Sequence, residues 1–271
     1  MVRSLWTAAT GMIAQQTNVD TIANNLANVN TNGYKTQVNE FKNLLYQTID
    51  SKTTSANGDQ RPTSPQVGLG VRNAAITSVF KTGSMLASES DTAFALDGKG
   101  FFAVQGEDGQ PYYTRNGDFK FTLSSGGNML ATSEGLPVLD TTGKPIVLND
   151  SYILSRISVT KDGTVCYPDA NNNPQSLGIQ IGVFQFNNPN GLERLANSLY
   201  KETTASGQAI NEATSPAVEK SNVIQGYLEG SNVQVVDEMV NMIVAQRAYE
   251  LNSKAITASD EMMQQANNLR R

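Results

Sequence analysis

The 271-residue chain contains no histidine and only one cysteine, Cys166. Without histidine, catalysis by Ser-His-Asp or Cys-His arrangements is excluded, and one cysteine cannot supply the usual ligands of a zinc site. A lone cysteine also forms no disulfide within the chain. Because Thr164, Val165 and Tyr167 around it have the composition of a strand, we expect Cys166 to be a small core side chain. We therefore expect no enzyme, no catalytic residues, no metal site and no cofactor.

The chain also lacks an excess of positive charge and any long apolar run. Its formal net charge is −5, and nothing in it resembles a phosphate-binding surface, so we expect no binding to nucleic acid. No run reaches the roughly 18 apolar residues that indicate a membrane span. The first residues have neither the apolar stretch nor the cleavage site of a secretory signal peptide. Export from the cytoplasm would therefore need a route without such a peptide.

Both ends of the chain carry apolar residues at intervals of seven. Such rows form a narrow stripe on a helix, which another helix must cover. We expect one helix over residues 4–29 and another over residues 232–269, and we predict that the two pair with each other. The residues predicted to serve self-assembly are Leu5, Met12, Val19, Ile22, Leu26, Val29, Val235, Met242, Tyr249, Ile256 and Met263.

The C-terminal helix is too apolar to be covered by a single partner. Seven of the ten residues from 235 to 244 are apolar. A helix that is apolar almost all round must be buried on several sides. The remaining apolar face needs other subunits, and the sequence therefore predicts self-assembly. Ser231 and Gln234 match a capping box that would mark the start of this helix.

Turn signals recur every 8 to 11 residues between Asp97-Gly98 and Thr142-Gly143, an interval that fits short antiparallel strands. Asn116-Gly117 favours a hairpin with a type I′ turn, because both residues accept positive φ. Asp162-Gly163 predicts a second hairpin. Gly98-Lys99-Gly100 resembles a phosphate-binding loop, but a strand-like segment follows it instead of a helix, which favours a β-turn.

The predicted fold class is α+β, with paired, coiled-coil-like N- and C-terminal long helices that carry a mostly antiparallel β-domain. The helical domain comprises residues 1–33 plus 231–271, the connecting segment residues 34–72 plus 201–230, and the all-β outer domain residues 73–200. Within the connecting segment, residues 34–49 form either a short helix or an extended arm. Polar residues 50–66 form either a flexible linker or a loop that is ordered against a neighbour.

Asparagines cluster near the end of the first predicted helix. Asn24, Asn25 and Asn28 lie inside it, although asparagine is a poor helix former. Either these side chains face water, or their amides bond across to neighbouring helices. Asn30 and Gly33 follow, and both residue types tolerate the left-handed conformation that ends helices.

The order of these segments resembles the bacterial flagellar basal-body rod and hook family. Residues 24–35, NNLANVNTNGYK, resemble its N-terminal signature, and residues 241–250, NMIVAQRAYE, resemble the signature at the other end. Residues 96–102 and 113–119 are similar to parts of its β-domain, so the resemblance extends over nearly the whole chain. The family-motif residues are Asn24, Asn25, Asn28, Asn30, Gly33, Gln246 and Arg247.

Within the family, residues 3–12 and 66–72 are most similar to the distal rod members. The resemblance implies a structural subunit of the distal rod that polymerises into a helical, hollow drive shaft across the periplasm and transmits torque to the hook. The implied partners are other copies of the chain, the proximal rod proteins, the hook protein or its junction, the P- and L-ring bushing and the flagellar type III export apparatus. A proximal rod or hook subunit of the same family is the alternative.

Overall fold

The structure, a computed structural model, describes residues 2–48, 66–124, 126–150, 152–169, 173–216 and 218–269. The chain divides into two compact units. The helical unit comprises residues 1–27, 37–77 and 234–271, and the β unit comprises residues 28–36 and 78–233. The three segments defined above from the sequence stay a prediction.

The helical unit contains two long helices, α1 over Val2–Ala27 and α2 over Val235–Asn268. Two terminal helices were expected and are confirmed, but the capping box at the start of α2 is wrong. Gln234 is the N-cap residue and makes no side-chain capping bond. The Ser231 hydroxyl accepts instead from the Val233 N–H, at 3.3 Å, because this segment is still extended where the box would need a helical turn.

The segment after α1 is an extended arm, so the alternative of a short helix is wrong. In the described part of this arm, the strands are β1 (Gln37–Asn43), β2 (Tyr46–Thr48), β3 (Gln66–Gly68) and β4 (Val71–Ser78). β1 lies beside β4, and β2 pairs with β3. Asn39 attaches β1 to α1, because its amide donates to the Thr21 hydroxyl at 2.9 Å and to the Thr17 carbonyl at 3.1 Å. Except for Gln66, the predicted loop 50–66 lies outside the described residues.

The β unit consists of short strands joined by turns. In the described part these are β5 (Met85–Ala87), β6 (Phe94–Asp97), β7 (Phe101–Gln105), β8 (Pro111–Thr114), β9 (Phe119–Ser124), β10 (Gly127–Thr132), β11 (Val147–Leu148), β12 (Ser158–Val159), β13 (Thr164–Pro168), β14 (Pro174–Gln180), β15 (Val183–Gln185), β16 (Glu193–Arg194), β17 (Leu199–Lys201), β18 (Ile210–Asn211), β19 (Asn222–Gln225) and β20 (Tyr227–Glu229). Within the residues that the structure describes, single 3₁₀ turns lie at Leu154–Arg156 and Pro189–Gly191.

The described strands of the β unit form one six-stranded sheet, ordered β16-β17-β8-β7-β15-β18, and several smaller sheets. The smaller sheets are ordered β11-β10-β9, β12-β13-β14, β19-β6 and β20-β5. The paired strands run antiparallel, which confirms the mostly antiparallel β-domain. The strand predicted after Gly98-Lys99-Gly100 is β7, and the hairpin across Asp162-Gly163 is the β12–β13 pair.

Among the described residues of the β unit, β7 separates two hydrophobic clusters. Its residues 101–104 are all buried, and side chains of a strand alternate between its two faces. Phe102 joins one cluster, in which it meets the ring of Phe119 edge to face. Phe101 joins the other cluster, in which it meets Phe186 and Tyr200 in the same way. Cys166 is buried in β13, which confirms its prediction as a core residue.

The hairpin predicted at Asn116-Gly117 is wrong. β8 pairs with β7 and β17, whereas β9 pairs with β10, and neither Asn116 nor Gly117 has positive φ. Gly117 is needed for a different reason. Its carbonyl accepts from the Phe94 N–H at 3.0 Å, and a Cβ on it would overlap the Phe94 carbonyl oxygen. The glycine therefore permits a close approach of two backbones rather than a tight turn.

Candidate self-assembly site

The two helices of the helical unit lie against each other along a regular series of contacts. The hydroxyl oxygens of Ser4 and Ser259 are 3.3 Å apart. A Cβ on Gly11 would lie 2.9 Å from the side-chain nitrogen of Asn252. From the first of these contacts to the second, the position moves seven residues forward along α1 and seven residues back along α2. This shift shows that the two helices run antiparallel.

The same shift continues to the other end of α1. Asn25 lies fourteen residues beyond Gly11, and its amide donates to Glu238, fourteen residues before Asn252, at 3.4 Å. Ala245 occupies the intervening position of the row on α2 and is 1% exposed. These contacts form the row that we call the polar seam. Its members are Ser4, Gly11 and Asn25 on α1, and Glu238, Ala245, Asn252 and Ser259 on α2.

Small side chains let the two backbones of the seam approach closely, and polar side chains restrict which partners they accept. Asn25 is the most constrained residue of the row, because it is buried and also bonds to the arm. Its Nδ2 donates to the Gln37 carbonyl at 2.8 Å, and its Oδ1 accepts from the Gln37 N–H at 2.9 Å. Asn25 therefore joins α1, α2 and β1. For this residue the alternative that the amide bonds to a neighbouring helix is confirmed.

Glu238 places a carboxyl group inside the seam. Burial raises the pKa of Glu238, an effect that the Asn25 hydrogen bond opposes and that the neighbouring Asp237 adds to. Both acidic residues lie in the first turn of α2, where the helix dipole favours negative charge. The seam therefore contains a group whose charge depends on pH.

Large apolar side chains lie beside the seam and are open to solvent in the single subunit. On α2 they form the α2 apolar stripe, whose members are between 53% and 73% exposed. The stripe comprises Val236, Met239, Val240, Ile243 and Val244. On α1, Trp6 and Ile13 are exposed to a similar extent. The contacts of the polar seam thus use small and polar residues, and several larger apolar residues beside it stay uncovered.

The eleven residues predicted to serve assembly differ in their surroundings. Ile22 is buried, and Val235 and Tyr249 are exposed. The others are half-buried, namely Leu5, Met12, Val19, Leu26, Val29, Met242, Ile256 and Met263. Val29 follows the end of α1 and belongs to the β unit. The role of these residues in assembly stays a prediction.

The family-motif residues are distributed over both units. Asn24 is exposed on α1, whereas Asn28 lies in the β unit and its Oδ1 accepts from the Thr31 hydroxyl at 3.1 Å. The remaining residues are Asn30, which is exposed, Gly33, which has a φ of +70°, and the exposed pair Gln246 and Arg247. Arg247 is paired with Glu250 one turn later, at 2.8 Å. These residues are family-motif residues by resemblance. Of them, only Asn25 belongs to the polar seam.

The apolar heptad pattern does not reveal the seam, because the members of the seam are small or polar. Ser4, Gly11 and Asn25 are separated by multiples of seven residues, and Glu238, Ala245, Asn252 and Ser259 are seven apart. A search for small and polar residues at this interval would have found both rows. Neither helix is long and apolar enough to cross a membrane over its described residues. The described part also contains no group of three or more His, Cys, Asp or Glu side chains arranged to hold a metal ion.

Comparison with known proteins first defines the class. A family model described as "Flagella basal body rod protein" matches residues 5–35, and one described as "Flagellar hook protein FlgE/F/G D1 domain" matches residues 95–167. A third, "Flagellar basal body rod FlgEFG protein C-terminal", matches residues 224–269. In chain order, these matches cover nearly all of α1, a stretch of the β unit, and the whole of α2. Together, the three matches define the class of the chain, which is that of the flagellar rod and hook proteins.

Relatives of similar length give the particular family. The chain is 46% identical to the flagellar basal-body rod protein FlgG of Borreliella burgdorferi and 37% identical to that of Bacillus subtilis, over the whole of each chain. It is 32% identical, again over both whole chains, to the Bacillus subtilis flagellar hook-basal body complex protein FlhP. The chain belongs to the FlgG family of flagellar basal-body rod proteins. It is a structural subunit of the flagellar basal-body rod.

Proposed function

We propose that this subunit forms the distal rod and that its copies polymerise into a helical, hollow drive shaft that transmits torque to the hook. The observation that carries the proposal is the α2 apolar stripe. Five large apolar side chains stay exposed, although a second helix lies beside α2. With these exposures they leave on the order of 500 Å² uncovered, which is near the upper end of the patches found on soluble monomers. Other copies of the chain would cover this surface.

Within one subunit, α1 and α2 form an antiparallel, coiled-coil-like pair. The register of the polar seam predicts a second layer of contacts next to it, because a and d positions alternate along a coiled coil. This layer pairs Ala8 with Ile256, Gln15 with Tyr249, and Ile22 with Met242. The half-burial of Met242 and Ile256 supports this register. The pair would be marginal alone, since its seam is poor in large apolar groups.

Contacts between different surfaces of successive copies generate an open helical filament when the rotation between them does not close. The α2 apolar stripe and the exposed apolar residues Trp6 and Ile13 of α1 are different surfaces, so they suit contacts of this kind. Long helices supply extended, dry contacts, which a shaft needs to carry torque. We place the paired helices around the central export channel and the β units on the outside of the tube.

The distal position defines the partners. The tube would join the proximal rod proteins at one end and the hook protein or its junction at the other. The outer surface of the β units would turn inside the P- and L-ring bushing. The subunit would reach the growing end through the flagellar type III export apparatus. The resemblance of residues 3–12 and 66–72 to distal rod members supports this position over a proximal rod or hook subunit.

Electron microscopy of the purified chain, concentrated until it assembles, tests polymerisation. Straight hollow tubes are expected from the full chain and none from a variant that lacks residues 1–30. Basal bodies isolated from cells without the chain test its position, because they should carry a short proximal rod and no hook. Basal bodies with no rod would favour the proximal alternative, and complete rods without hooks would favour the hook alternative.

A further inference from the structure

The chain passes between the two units at four points, because residues 28–36 and 78–233 of the β unit are separate stretches of sequence. The stretch 28–36 follows α1, and the stretch 78–233 leads directly into α2. Any pull on the two helices therefore reaches the β unit next to its residues 28 and 233. The bonds among the ends of these stretches decide how the β unit bears that pull.

One side chain of the β unit, Asn232, joins three of these ends. Its Oδ1 accepts hydrogen bonds from the backbone N–H and the hydroxyl of Thr36, both at 2.7 Å. Its Nδ2 donates to the carbonyl oxygens of Val79 at 2.8 Å and Lys81 at 3.1 Å. The Val79 N–H donates in turn to the Thr36 carbonyl at 2.8 Å. Asn232 thus uses its full side-chain bonding capacity on the backbone and side chains of other segments.

A buried ion cluster binds the same segments together. Lys35 Nζ lies 2.6 Å from Glu229 Oε1 and donates to the Lys81 carbonyl at 2.8 Å. Arg115 Nη1 lies 3.3 Å from Glu229 Oε2. The Gly83 N–H also donates to Glu229 Oε1, at 2.9 Å. The three charged side chains are at most 1% exposed. The segment after α1 is therefore tied to the segment before α2 by an ion pair that is shielded from solvent.

Gly33 adds a backbone contact to this cluster. Its N–H donates to the carbonyl of Glu229 at 2.7 Å. A Cβ on Gly33 would lie 2.6 Å from backbone atoms of Arg115 and Asn116, and its φ of +70° is the left-handed region that favours glycine. Only glycine therefore lets the chain after α1 lie this close to Arg115. The family-motif glycine is explained by this approach as well as by the end of the helix.

The cluster holds two cations and one carboxylate. Burial lowers the pKa values of Lys35 and Arg115, and the charge of Glu229 opposes the effect at both. A buried ion pair often contributes less to stability than apolar residues of the same volume would, whereas loss of one partner is strongly destabilising. Such a cluster is better suited to fixing which segments meet than to raising overall stability.

We propose that Asn232 and the Lys35–Glu229–Arg115 cluster form a clamp that carries tension directly between residues 28–36 and residues 229–233. While the clamp is closed, a pull on the two helices passes from one segment to the other through these bonds. The strands of the β core then carry none of the load. The biological meaning of the clamp rests on the proposed role of the subunit in a torque-bearing shaft, but its mechanics belong to the single chain.

Optical tweezers attached to the two ends of one isolated subunit test the clamp. After the helical unit has unfolded, opening of the clamp should release the chain between residues 36 and 78 while the core of the β unit stays folded. At about 3.5 Å per residue, this step is on the order of 150 Å. Unravelling of the β core should follow as a later and separate step.

Asn232→Ala should shorten the lifetime of the closed clamp at constant force by about tenfold or more, because several hydrogen bonds are lost together. Lys35→Met, which keeps the pair of Glu229 with Arg115, should shorten it as well. The matched control is Asn211→Ala. Asn211 donates to the Thr141 carbonyl at 2.8 Å, so the control removes an amide-to-carbonyl bond of the β unit away from the clamp. Its clamp lifetime should equal that of the unmodified chain.

Absence of a separate step in the unmodified chain would overturn the proposal. Equal clamp lifetimes for Asn232→Ala, Lys35→Met and Asn211→Ala would do so as well. Tube formation is measured independently on the same preparations. Tubes from a chain without a clamp step would refute the clamp and leave the proposed function standing. A clear clamp step in a chain that never assembles would support the clamp and refute the proposed function.

Discussion

Replacement of Ile243 by asparagine should weaken assembly strongly while leaving the single subunit almost unchanged. Ile243 lies in the middle of the α2 apolar stripe and is 56% exposed in the isolated chain. Because it makes little contact within the subunit, its loss removes little from the free energy of folding. In a filament the same side chain is expected to be covered by a second copy, so its loss should reduce the free energy of assembly.

The size of the effect follows from the exposed surface. At 56% exposure, Ile243 leaves roughly 110 Å² open, and at about 25 cal/mol per Å² its burial contributes about 2.7 kcal/mol. At about 1.4 kcal/mol for each tenfold change in an equilibrium constant, the critical concentration for assembly should rise about 100-fold. The cost of burying the asparagine amide without a partner would add to this figure.

The assay is sedimentation of assembled material over a concentration series, with Gln264→Asn as the control. The control also places asparagine on an exposed position of α2, so it has a comparable helix-propensity cost but removes no large apolar group. Thermal melts of the dilute subunits should differ little between the two variants. An unchanged critical concentration for Ile243→Asn would show that the stripe is not covered in the filament.

Four further predictions concern the helical unit and the loop. Gly11→Leu should destabilise the helical unit by about 1–3 kcal/mol in denaturant titrations, because it forces the seam apart. The control Gly11→Ala needs only a small movement of Asn252. Equal effects of the two substitutions would contradict the seam. Because burial raises the pKa of Glu238, the folded state binds a proton more tightly than the unfolded chain, and helix-pair stability should fall as pH rises from the ordinary carboxyl pKa through the raised one. Melts monitored by circular dichroism should show this slope, and Glu238→Gln should remove it; a slope that survives in the variant would assign it to another group. In dilute subunits, amides of both helices should exchange faster than those of β7, since the helix pair lacks its assembly contacts; strong protection of both helices would argue against this. Deletion of residues 50–66 should give bendable filaments, and straight filaments of unchanged stiffness in micrographs would refute a stiffening role for that loop.

The helices and the β-rich centre could be predicted from the sequence because their signals are local. A seven-residue repeat and regular turn residues reflect the period of the element that contains them. The polar seam is harder to predict, because Gly11 and Asn252 become meaningful only when the two helices are placed side by side. A row of small and polar residues at the heptad interval is a weak signal in one helix. It becomes a strong one when a second helix repeats it.

Asn116-Gly117 shows the opposite kind of failure. The dipeptide has the strongest short-range preference for a hairpin turn, yet the strands on either side of it pair with other strands. Gly117 is required by the Phe94 backbone, which comes from β6, about twenty residues earlier in the chain. A glycine that permits turns and a glycine that permits close packing look the same in a sequence. Only the long-range pairing of β8 with β17 distinguishes them.

The polar seam and the clamp place polar groups where an ordinary domain would use apolar ones. In the seam, Asn25 and Glu238 make the helix pair selective for one register, and large apolar groups remain available to other copies. In the clamp, Asn232 and Glu229 bind chain ends that apolar packing alone would leave free to slide. In the proposed role, the subunit is exported as a single chain and then bears load in a filament, and this role needs both properties. Weak but selective contacts within the helical unit suit the first requirement, and directional bonds at the chain ends suit the second.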